Sequence, residues 1–435
     1  MVHDDGPVGL DGVRVRFDDE RVVSDAGIML AATLAARLGL EALVGRSVRL
    51  RRDRPGAGNA GRKVIALIYA MALGADSIDD CDVLRAGRTR RLLGGWLPAP
   101  STLGTFLRAF TFGHVRQLDR VLGEALARAW KAGAGPGDGR LVVDVDSFVG
   151  EVWGHAKQGA AFGYTRKRGY HPIVASCAET GEVLHVRLRK GSANTSRGML
   201  RFCDELIARV ERAGARGPKL LRADSGFWSA KTFARLARAG WSYSIGVRLQ
   251  PHVRAAIEQI DEAAWQTLED YPPTSIAQIA ETVLGDQRLV VRRVRTLNAQ
   301  GELLPSWEQF PFATNRTEPI VIVEAEHRQH AVVELVIRDL KDQALAHFPS
   351  GHFHANSAWT VIAALAHNLL RWTELIGLPG RAGRVARTVR RRLLALPGRL
   401  TTHAGRWTLH LPARWPWQQD FIEALTRIRA LPAAA

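Results

Sequence analysis

The sequence predicts a mixed α/β fold in which one sheet is flanked by helices. In the middle of the chain, β-rich runs alternate with amphipathic stretches in the order three strands, helix, strand, helix, strand. A glycine-rich segment, residues 133–139, separates this middle part from a mainly helical first part. The apolar share of 46% is ordinary for a globular protein and excludes wholesale disorder.

The first part of the chain is predicted to be helical. Ser24 and Asp25 are expected to cap a first helix, and arginines such as Arg49 and Arg91 lie between the later helices. This pattern suits a helical DNA-binding module, and a packing or dimerisation domain with a basic, solvated face is the alternative. The apolar periodicity places the later helices at 64–73, 77–84, 102–110 and 115–130.

The remainder of the chain changes rhythm twice. Residues 251–320 interrupt the α/β pattern and are interpreted as an insertion, and residues 381–419 contain nine arginines and no acidic residue. Strands are predicted at 141–149, 173–178, 183–190, 219–222, 241–249, 289–297 and 312–314. Helices are predicted at 197–211, 230–239, 253–260, 321–344, 358–376 and 421–431. The predicted parts are a helical N-terminal DNA-binding domain (1–138), the first part of an α/β core (139–250), the insertion (251–320), the second part of the core (321–378) and a basic C-terminal region (379–435).

The charge balance indicates a polyanionic partner. Lys and Arg number 60 against 43 Asp and Glu, which gives a net charge of +17. Nucleic acid is the usual partner of so basic a folded protein. An arginine-rich genome is the alternative explanation, because only 8 of the 60 basic residues are Lys.

Cysteine spacing and hydropathy indicate the environment. Cys81, Cys177 and Cys203 lie far apart, which excludes a zinc-knuckle signature and a disulfide framework and favours a reducing cytoplasm. The longest apolar runs are about twelve residues, whereas a membrane span needs about twenty. We therefore expect no membrane partner and a cytoplasmic protein associated with the nucleoid.

Carboxylates inside apolar strands are exceptions in so basic a chain. Asp144 and Asp146 lie in the run Leu-Val-Val-Asp-Val-Asp-Ser-Phe, and their spacing of two places both on one face of the strand. Aspartate is disfavoured at the centre of a strand, and a buried carboxylate needs a cation or hydrogen bonds. A solvated strand face is the alternative.

Two further carboxylates are candidates for the same chemistry. Asp224 follows a short predicted strand and precedes a glycine-containing turn, which is a usual place for site residues in open α/β sheets. A capping or turn role is the alternative. Glu334 lies on a polar helix stripe with residues 327, 330, 338 and 341, and a solvated stripe is the alternative.

If these carboxylates converge at one sheet edge, they repel one another unless they bind divalent cations. Oxygen ligands suit Mg²⁺ or Mn²⁺. Two such ions can activate a water or a 3′-hydroxyl and stabilise the leaving oxygen of a phosphoryl displacement. The carboxylates and the basic excess therefore predict the same substrate, DNA.

At these residues the sequence resembles the DDE transposases of bacterial insertion sequences. The resemblance covers most of the chain, from about Arg14 to the Trp-Pro-Trp segment. It implies an RNase H-like core with an insertion between the second Asp and the Glu, and a homodimeric synapse on DNA. The motifs that carry it are Trp-Gly-His-Ala-Lys-Gln-Gly-Ala-Ala-Phe-Gly-Tyr at 153–164, Gly-Tyr-His-Pro at 169–172 and Arg-Ala-Asp-Ser-Gly-Phe at 222–227.

The resemblance assigns the acidic residues. The first Asp of the family is typically followed by Ser or Thr, which matches Asp146-Ser147 and favours Asp146 over Asp144 as the metal ligand. Asp224 matches the second Asp, and Glu334 matches the Glu. The implied cofactor is a pair of Mg²⁺ or Mn²⁺ ions.

The family's helix motif is Tyr-x-x-Arg-x-x-x-Glu-x-x-x-x-x-x-Lys. Glu334 and Lys341 match its last two positions, whereas His327 and His330 stand where Tyr and Arg are expected. On a continuous helix Arg328 points about 200° away from His330, so periodicity does not favour it as a replacement.

Basic and aromatic residues supply the predicted DNA contacts. In related transposases an aromatic residue of the insertion holds a flipped base, and Trp265 and Trp307 are candidates, with core packing as the alternative. Tyr164 belongs to an aromatic-basic loop suited to backbone contact, and a solvated loop is the alternative. The predicted DNA-binding residues are Lys341, Arg338, His330, Arg166, Lys167, Arg168 and Arg391.

The sequence therefore predicts a transposase that binds terminal inverted repeats, cleaves DNA at the element ends and joins the 3′-ends to target DNA. A metal-dependent nuclease of the same fold is one alternative. A decayed transposase that only binds DNA is another, which the two histidines in the helix motif favour.

Overall fold

The computed structural model describes residues 10–51, 53–163, 165–297, 306–381, 383 and 385–434, so Tyr164 of the predicted loop lies outside the described residues. The strands are β1 Val22–Val23, β2 Leu141–Ser147, β3 Gly150–Glu151, β4 Ala161–Phe162, β5 Arg168–Tyr170, β6 Ile173–Cys177, β7 Val183–Arg187, β8 Lys219–Ala223, β9 Ser242–Gly246, β10 Gln266–Thr267, β11 Ser275–Leu284, β12 Gln287–Thr296, β13 Glu308–Thr314, β14 Gly398–His403 and β15 Arg406–His410. The helices are α1 Ile28–Arg37, α2 Leu40–Ser47, α3 Ala60–Ala72, α4 Thr89–Leu92, α5 Pro100–Arg108, α6 Phe112–Ala129, α7 Met199–Ala213, α8 Ala230–Arg238, α9 Pro251–Glu258, α10 Ile320–Arg328, α11 Val332–Lys341, α12 Phe353–Gly377, α13 Ala386–Val389 and α14 Gln418–Ala430.

A large mixed sheet organises the protein. In the described part of the chain it contains nine strands in the order β10-β11-β12-β13-β9-β8-β2-β6-β7. β2, β8 and β9 are parallel neighbours, whereas β6 runs antiparallel to both β2 and β7. The segment β7-β6-β2-β8-β9 therefore has three successively antiparallel strands followed by two that run parallel to β2, which confirms the predicted RNase H-like class.

The predicted insertion extends this same sheet. β11, β12 and β13 form an antiparallel meander, and β13 pairs with the edge of β9, with Phe312 opposite Gly246. The sequence predicts β12 and β13 but misses β11. Polar residues recur at every third position of β11, at Ser275, Gln278 and Glu281, so the period-two pattern of a strand is hidden.

The N- and C-terminal parts of the chain pack into one core. α3 and α1 lie against α12 and α14, and β1 pairs with β14, Val22 opposite Arg399. The N–H groups of Ala26 and Gly27 donate to the carbonyl oxygens of Leu396 and Leu394, at 2.7 and 3.1 Å. α1 accordingly begins at Ile28, later than the predicted cap at Ser24 and Asp25, because these contacts fix the preceding turn.

The predicted helix over 321–344 is broken. α10 ends at Arg328, residues 329–331 form a 3₁₀ turn, and α11 begins at Val332. At the break, Nε2 of His330 donates to the carbonyl oxygen of Val145, at 3.2 Å. The break therefore lies against β2 and changes which residues share a face.

None of the helices in the described ranges is, by itself, both long and apolar enough to cross a membrane. The bent pair α1 and α2 meets the length and hydropathy criteria only when its two helices are taken together.

Candidate active site

Asp146 and Asp224 lie at the same edge of the sheet. β2 and β8 are parallel and adjacent, and Val145 lies opposite Ala223, so each aspartate follows a paired residue. Oδ1 of Asp146 accepts a hydrogen bond from the backbone N–H of Ser147, at 2.6 Å. Parallel register therefore brings together two carboxylates that are far apart in sequence.

Asp224 begins a tight turn after β8. Its Oδ1 accepts the backbone N–H of Gly226, at 2.9 Å, and its side chain is exposed. Gly246 on the neighbouring β9 passes close beneath, because a Cβ at that position would lie 2.8 Å from the backbone nitrogen of Ser225. The turn is thus held from both sides.

Glu334 reaches the same region from α11. The helix packs beside β2, and Glu334 lines a cleft of about 530 Å³ together with Asp224, His330 and Arg328. Burial raises the pKa of Asp146 to about 6, and the negative charges of Asp224 and Glu334 act in the same direction. The three predicted carboxylates therefore lie close enough to repel one another.

Asp144 has a different environment. It is fully buried, and both of its carboxylate oxygens accept hydrogen bonds from Arg222, at 2.7 and 2.8 Å. Arg222 comes from the Arg-Ala-Asp-Ser-Gly-Phe motif and also donates to the backbone carbonyl of Glu326. The alternative ligand of the sequence analysis is thus engaged inside the sheet rather than directed at the cleft.

The basic residues near Asp146 come from two elements. The ammonium group of Lys341 lies 4.7 Å from the ring centroid of Phe148. Partial burial lowers the pKa of Lys341, the charge of Asp146 opposes this, and the charge of Lys167 reinforces it. Lys341 and Lys167 therefore both lie within electrostatic range of the acidic cluster.

The two histidines of α10 and the following turn play different parts. The ring of His327 stacks on Phe312, with centroids 4.1 Å apart, and its Nδ1 lies 2.8 Å from Oγ of Ser244. Burial, reinforced by the positive charges of His330 and Arg222, lowers the pKa of His327 to about 3. His327 is thus a neutral residue packed on Phe312, and both His327 and His330 line the cleft.

Comparison with known protein families identifies the family of this chain. Residues 6–433 match the family described as transposase DDE domain group 1. The chain is a DDE transposase of this family. Comparison with curated proteins gave no match. A cryo-EM structure of the piggyBac transposase synaptic complex with hairpin DNA is similar, with 13% identity and a TM-score of 0.46 over 86% of this chain and 80% of that chain.

Arg328 of the transposase lies on the cleft, contrary to the helical-wheel expectation. The 3₁₀ turn after α10 interrupts the 100° periodicity, so Arg328 and His330 line the same cleft. The guanidinium of Arg328 lies 5.3 Å from the ring centroid of Tyr271, and that of Arg292 lies 5.9 Å from it. Glu324 pairs with both arginines, at 3.1 and 2.8 Å.

Sequence reasoning missed Arg292 and Arg248 as cleft residues. Arg292 lies on β12 of the insertion, and Arg248 follows β9. Arg248 approaches Asp224 because β9 pairs with β8, and Arg292 does so because β13 pairs with β9; both pairings are non-local contacts. No local motif in either segment signals it.

The residues of the predicted basic loop have different contacts in the transposase structure. Arg168 donates to the backbone carbonyls of Gly154 and His155, so it holds the loop together. Nζ of Lys167 pairs with Glu151 at 3.0 Å, and Arg166 is exposed with a positive φ of 57°. The remaining predicted DNA contacts, Arg338 and Arg391, are exposed on α11 and in the turn after α13.

The two insertion tryptophans contact arginines. The guanidinium of Arg293 lies 4.1 Å from the ring centroid of Trp265 and 4.5 Å from that of Trp307. The guanidinium of Arg295 lies 4.3 Å from the ring centroid of Trp307. The aromatic faces are thus partly occupied by cation–π contacts, which are worth about 0.5–1 kcal/mol each at exposed sites.

A second acidic group lies between α6, β7 and α7. Ligand atoms of Asp119, His185 and Glu205 lie within 4.8 Å of one another, and among the described residues this is the group with that spacing. Arg209 pairs with Asp119 at 2.7 Å, and Arg116 pairs with Glu205 at 2.9 Å. Burial alone would raise the pKa of Asp119, but Arg209 and His185 hold it well below its usual range. This group is therefore an ion-pair network, which arginines already neutralise.

Proposed function

We propose that this transposase binds the terminal inverted repeats of its element, cleaves DNA at those ends and joins the 3′-ends to target DNA. The observation that carries the proposal is the parallel register of β2 and β8, which brings Asp146 and Asp224 to one sheet edge, where Glu334 reaches them from α11. Three mutually repelling carboxylates beside a cleft lined by Arg248, Arg292 and other basic residues suit metal-assisted phosphoryl transfer on a polyanion.

Asp146, Asp224 and Glu334 would bind the two divalent ions. All their donors are carboxylate oxygens, which Mg²⁺ and Mn²⁺ prefer. Their ligand atoms are more widely spaced than the 4.8 Å of the arginine-bound group. The charges of Asp224 and Glu334 both raise the pKa of Asp146, so Asp146 would be the ligand that the two ions share. The bound ions would lower the pKa of the attacking oxygen and stabilise the leaving one.

The chain's own residues position the DNA. Lys341 beside Asp146 would contact the phosphate next to the reacting one, and Arg328 and His330 would contact the strand that lies in the cleft. In cleavage, a water oxygen attacks phosphorus and the bond to the 3′-oxygen breaks. In joining, that 3′-hydroxyl attacks a target phosphate and the target's own 3′-oxygen leaves, so phosphodiester bonds are conserved.

The test uses the purified protein and a labelled duplex. The duplex spans the junction between one end of the element that carries the gene and the neighbouring host DNA. We expect a nicked or cleaved product with Mg²⁺ or Mn²⁺, and none with Asp224→Asn. Asp270→Asn, which changes an exposed aspartate, is the matched control and should cleave normally. Cleavage by Asp224→Asn at the control's rate would overturn the mechanism.

A DNA-binding protein without catalysis is the second candidate. The neutral His327 favours it, because this side chain stacks on Phe312 and has no charge for a phosphate. Retardation of the end duplex with no product under either metal would support this candidate. Pre-cleaved ends with free 3′-hydroxyls distinguish a nuclease from a transposase, since only the transposase gives joined product.

We also propose a homodimer on paired ends and a cytoplasmic location on the nucleoid. Light scattering of the protein with end duplex tests the first, and imaging of a fluorescent fusion tests the second.

A further inference from the structure

Arginines of the α4 region and a tryptophan of the C-terminal hairpin form one exposed surface. We call it the α4–β15 surface. It lines a shallow cleft of about 840 Å³, and none of the described residues that line it also lines the cleft of Asp224 and Glu334. Its residues are Arg85, Arg88, Arg90, Arg91, Trp96 and Trp407.

The two halves of this surface are far apart in sequence but firmly joined. β1 pairs with β14, the backbone N–H of Arg88 donates to the carbonyl of Val22 at 2.9 Å, and the Arg88 guanidinium donates to the carbonyl of Leu400 at 2.8 Å. Gly87 has a φ of +49°, and a Cβ there would lie 2.2 Å from the carbonyl oxygen of Val22. Backbone pairing and hydrogen bonds therefore fix the relative position of the two halves of the surface.

The charges of the surface are largely uncompensated. Arg90 and Arg91 are exposed, and no carboxylate in the described ranges pairs with either of them. Arg85 pairs with Asp82 at 2.6 Å, and Glu20 is the acidic residue of the lining. Two exposed arginines thus have no carboxylate partner among the described residues.

Trp407 gives the surface an aromatic centre. Its ring is half exposed, and the guanidinium carbons of Arg88 and Arg91 lie 5.7 and 5.6 Å from its centroid. Stacking on the ring limits the rotamers of these arginines, so less entropy is lost when they bind a phosphate. The exposed ring edge offers apolar area beside the cations.

We propose that the α4–β15 surface binds the sugar-phosphate backbone of duplex DNA outside the catalytic cleft. Arg90 and Arg91 contact phosphates through planar, paired donors, and Trp407 packs on the deoxyribose between them. This inference rests on the proposed function, because it supplies a holding site for the same substrate.

The element lengths favour backbone contact over base reading. α4 has four residues and the hairpin that carries Trp407 is short, so neither presents a recognition helix to the major groove. Guanidinium groups on a shallow surface contact phosphates irrespective of sequence. Binding here should therefore be strong at low salt and weak in sequence preference.

The test measures binding of the full-length protein, without metal, to a fluorescein-labelled duplex of about 30 base pairs of arbitrary sequence. Anisotropy titrations between about 50 and 200 mM salt give the slope of log K against log salt. Arg90→Ala with Arg91→Ala should weaken binding about tenfold and flatten the slope by about 1.8, since each lost phosphate contact removes about 0.9.

The matched control removes the same charge elsewhere. Arg120 and Arg238 are exposed on α6 and α8, and their double alanine variant should keep the wild-type slope. Equal slopes in the two double variants would overturn the proposal. Trp407→Ala should weaken binding without changing the slope. Trp407→Phe should bind DNA as tightly as wild type. Unchanged binding by Trp407→Ala would contradict the sugar contact. Thermal midpoints exclude unfolding.

The outcomes also separate this inference from the proposed function. Asp270→Asn, which changes an exposed aspartate outside both clefts, should bind the arbitrary duplex with the wild-type slope. If wild type cleaves end DNA but Arg90 and Arg91 do not affect binding, the surface is wrong and the function stands. If no cleavage occurs while the slope change persists, the function is wrong and the surface stands.

Discussion

Asp144 and Arg222 form a two-point ion pair between adjacent parallel strands. They are register partners on β2 and β8, and the Nε–Oδ1 and Nη2–Oδ2 distances are 2.7 and 2.8 Å. Asp146 follows Asp144 two residues later on β2, and Asp224 follows Arg222 two residues later, directly after β8. The pair therefore locks the register on which the spacing of these two carboxylates depends.

Arg222→Met should destabilise the protein by about 3–5 kcal/mol, because it leaves the buried charge of Asp144 without its partner. Denaturant unfolding, followed by circular dichroism, measures the change. Arg216→Met is the control, since Arg216 and Asp138 form an exposed pair, and it should change the unfolding free energy by under about 1 kcal/mol. Similar losses in both variants would contradict a register-locking role.

Ser147→Ala should slow product formation about tenfold while leaving DNA binding unchanged. The hydroxyl of Ser147 donates to Nε2 of His171 at 3.0 Å, and Nδ1 of His171 donates to the carbonyl of Ala193 at 2.7 Å. This chain fixes the backbone N–H that holds Asp146, and such supporting contacts typically contribute 10–100-fold. Single-turnover rates give the measurement. Ser147→Thr should restore the rate, and a loss of binding in Ser147→Ala would indicate a general structural role instead.

Asp146→Asn should stabilise the metal-free protein above about pH 6. Burial raises the folded pKa of Asp146 to about 6, above its unfolded value of about 3.9, so ionisation favours the unfolded state. The penalty is absent below about pH 4, grows between about pH 4 and 6, and is complete above that. Thermal midpoints of wild type and variant should coincide near pH 4 and diverge by pH 8. Added Mg²⁺ should raise the midpoint of wild type only, and a variant less stable at pH 8 would contradict the repulsion.

Gly27→Ala should destabilise the protein by several kcal/mol. A Cβ at residue 27 would lie 1.9 Å from the carbonyl oxygen of Leu393, so the N- and C-terminal parts must separate to admit it. Gly45→Ala is the matched control, because its Cβ meets no atom within 4 Å inside α2, and it should stabilise by about 0.5–1 kcal/mol. Urea unfolding measures the change in the free energy of unfolding, which should fall in Gly27→Ala and rise in Gly45→Ala. A Gly27→Ala variant as stable as wild type would contradict the close packing.

The sequence predicts the elements of the middle of the chain well, because apolar runs there are local signals. It misses the β14–β15 hairpin, whose turn residues Ala404 and Gly405 have φ values of 47° and 76°. A turn with two positive φ angles usually carries Asn-Gly or Asp-Gly, so Ala-Gly gives little signal. The surrounding arginines further resemble a solvated segment.

Part of the site could also be anticipated. Asp146 and Asp224 stand out as acids at strand ends, and the parallel register brings them together. Arg248 and Arg292 could not be anticipated, because the non-local pairings of β9 with β8 and of β13 with β9 carry them to the cleft. The break after Arg328 could not be read from periodicity either, since a tertiary contact of His330 accompanies it. The roles of all these residues in catalysis stay predictions.

The pairing of β1 with β14 and the contact of Gly27 with Leu393 have a consequence for biosynthesis. The partners of β1 and of the turn before α1 lie at residues 393–399, a segment that the ribosome makes long after them. The N-terminal part therefore completes its core only after this segment has emerged. A copy of the gene truncated before this segment would thus yield a chain without a complete N-terminal fold, rather than a free DNA-binding fragment that competes with the intact enzyme.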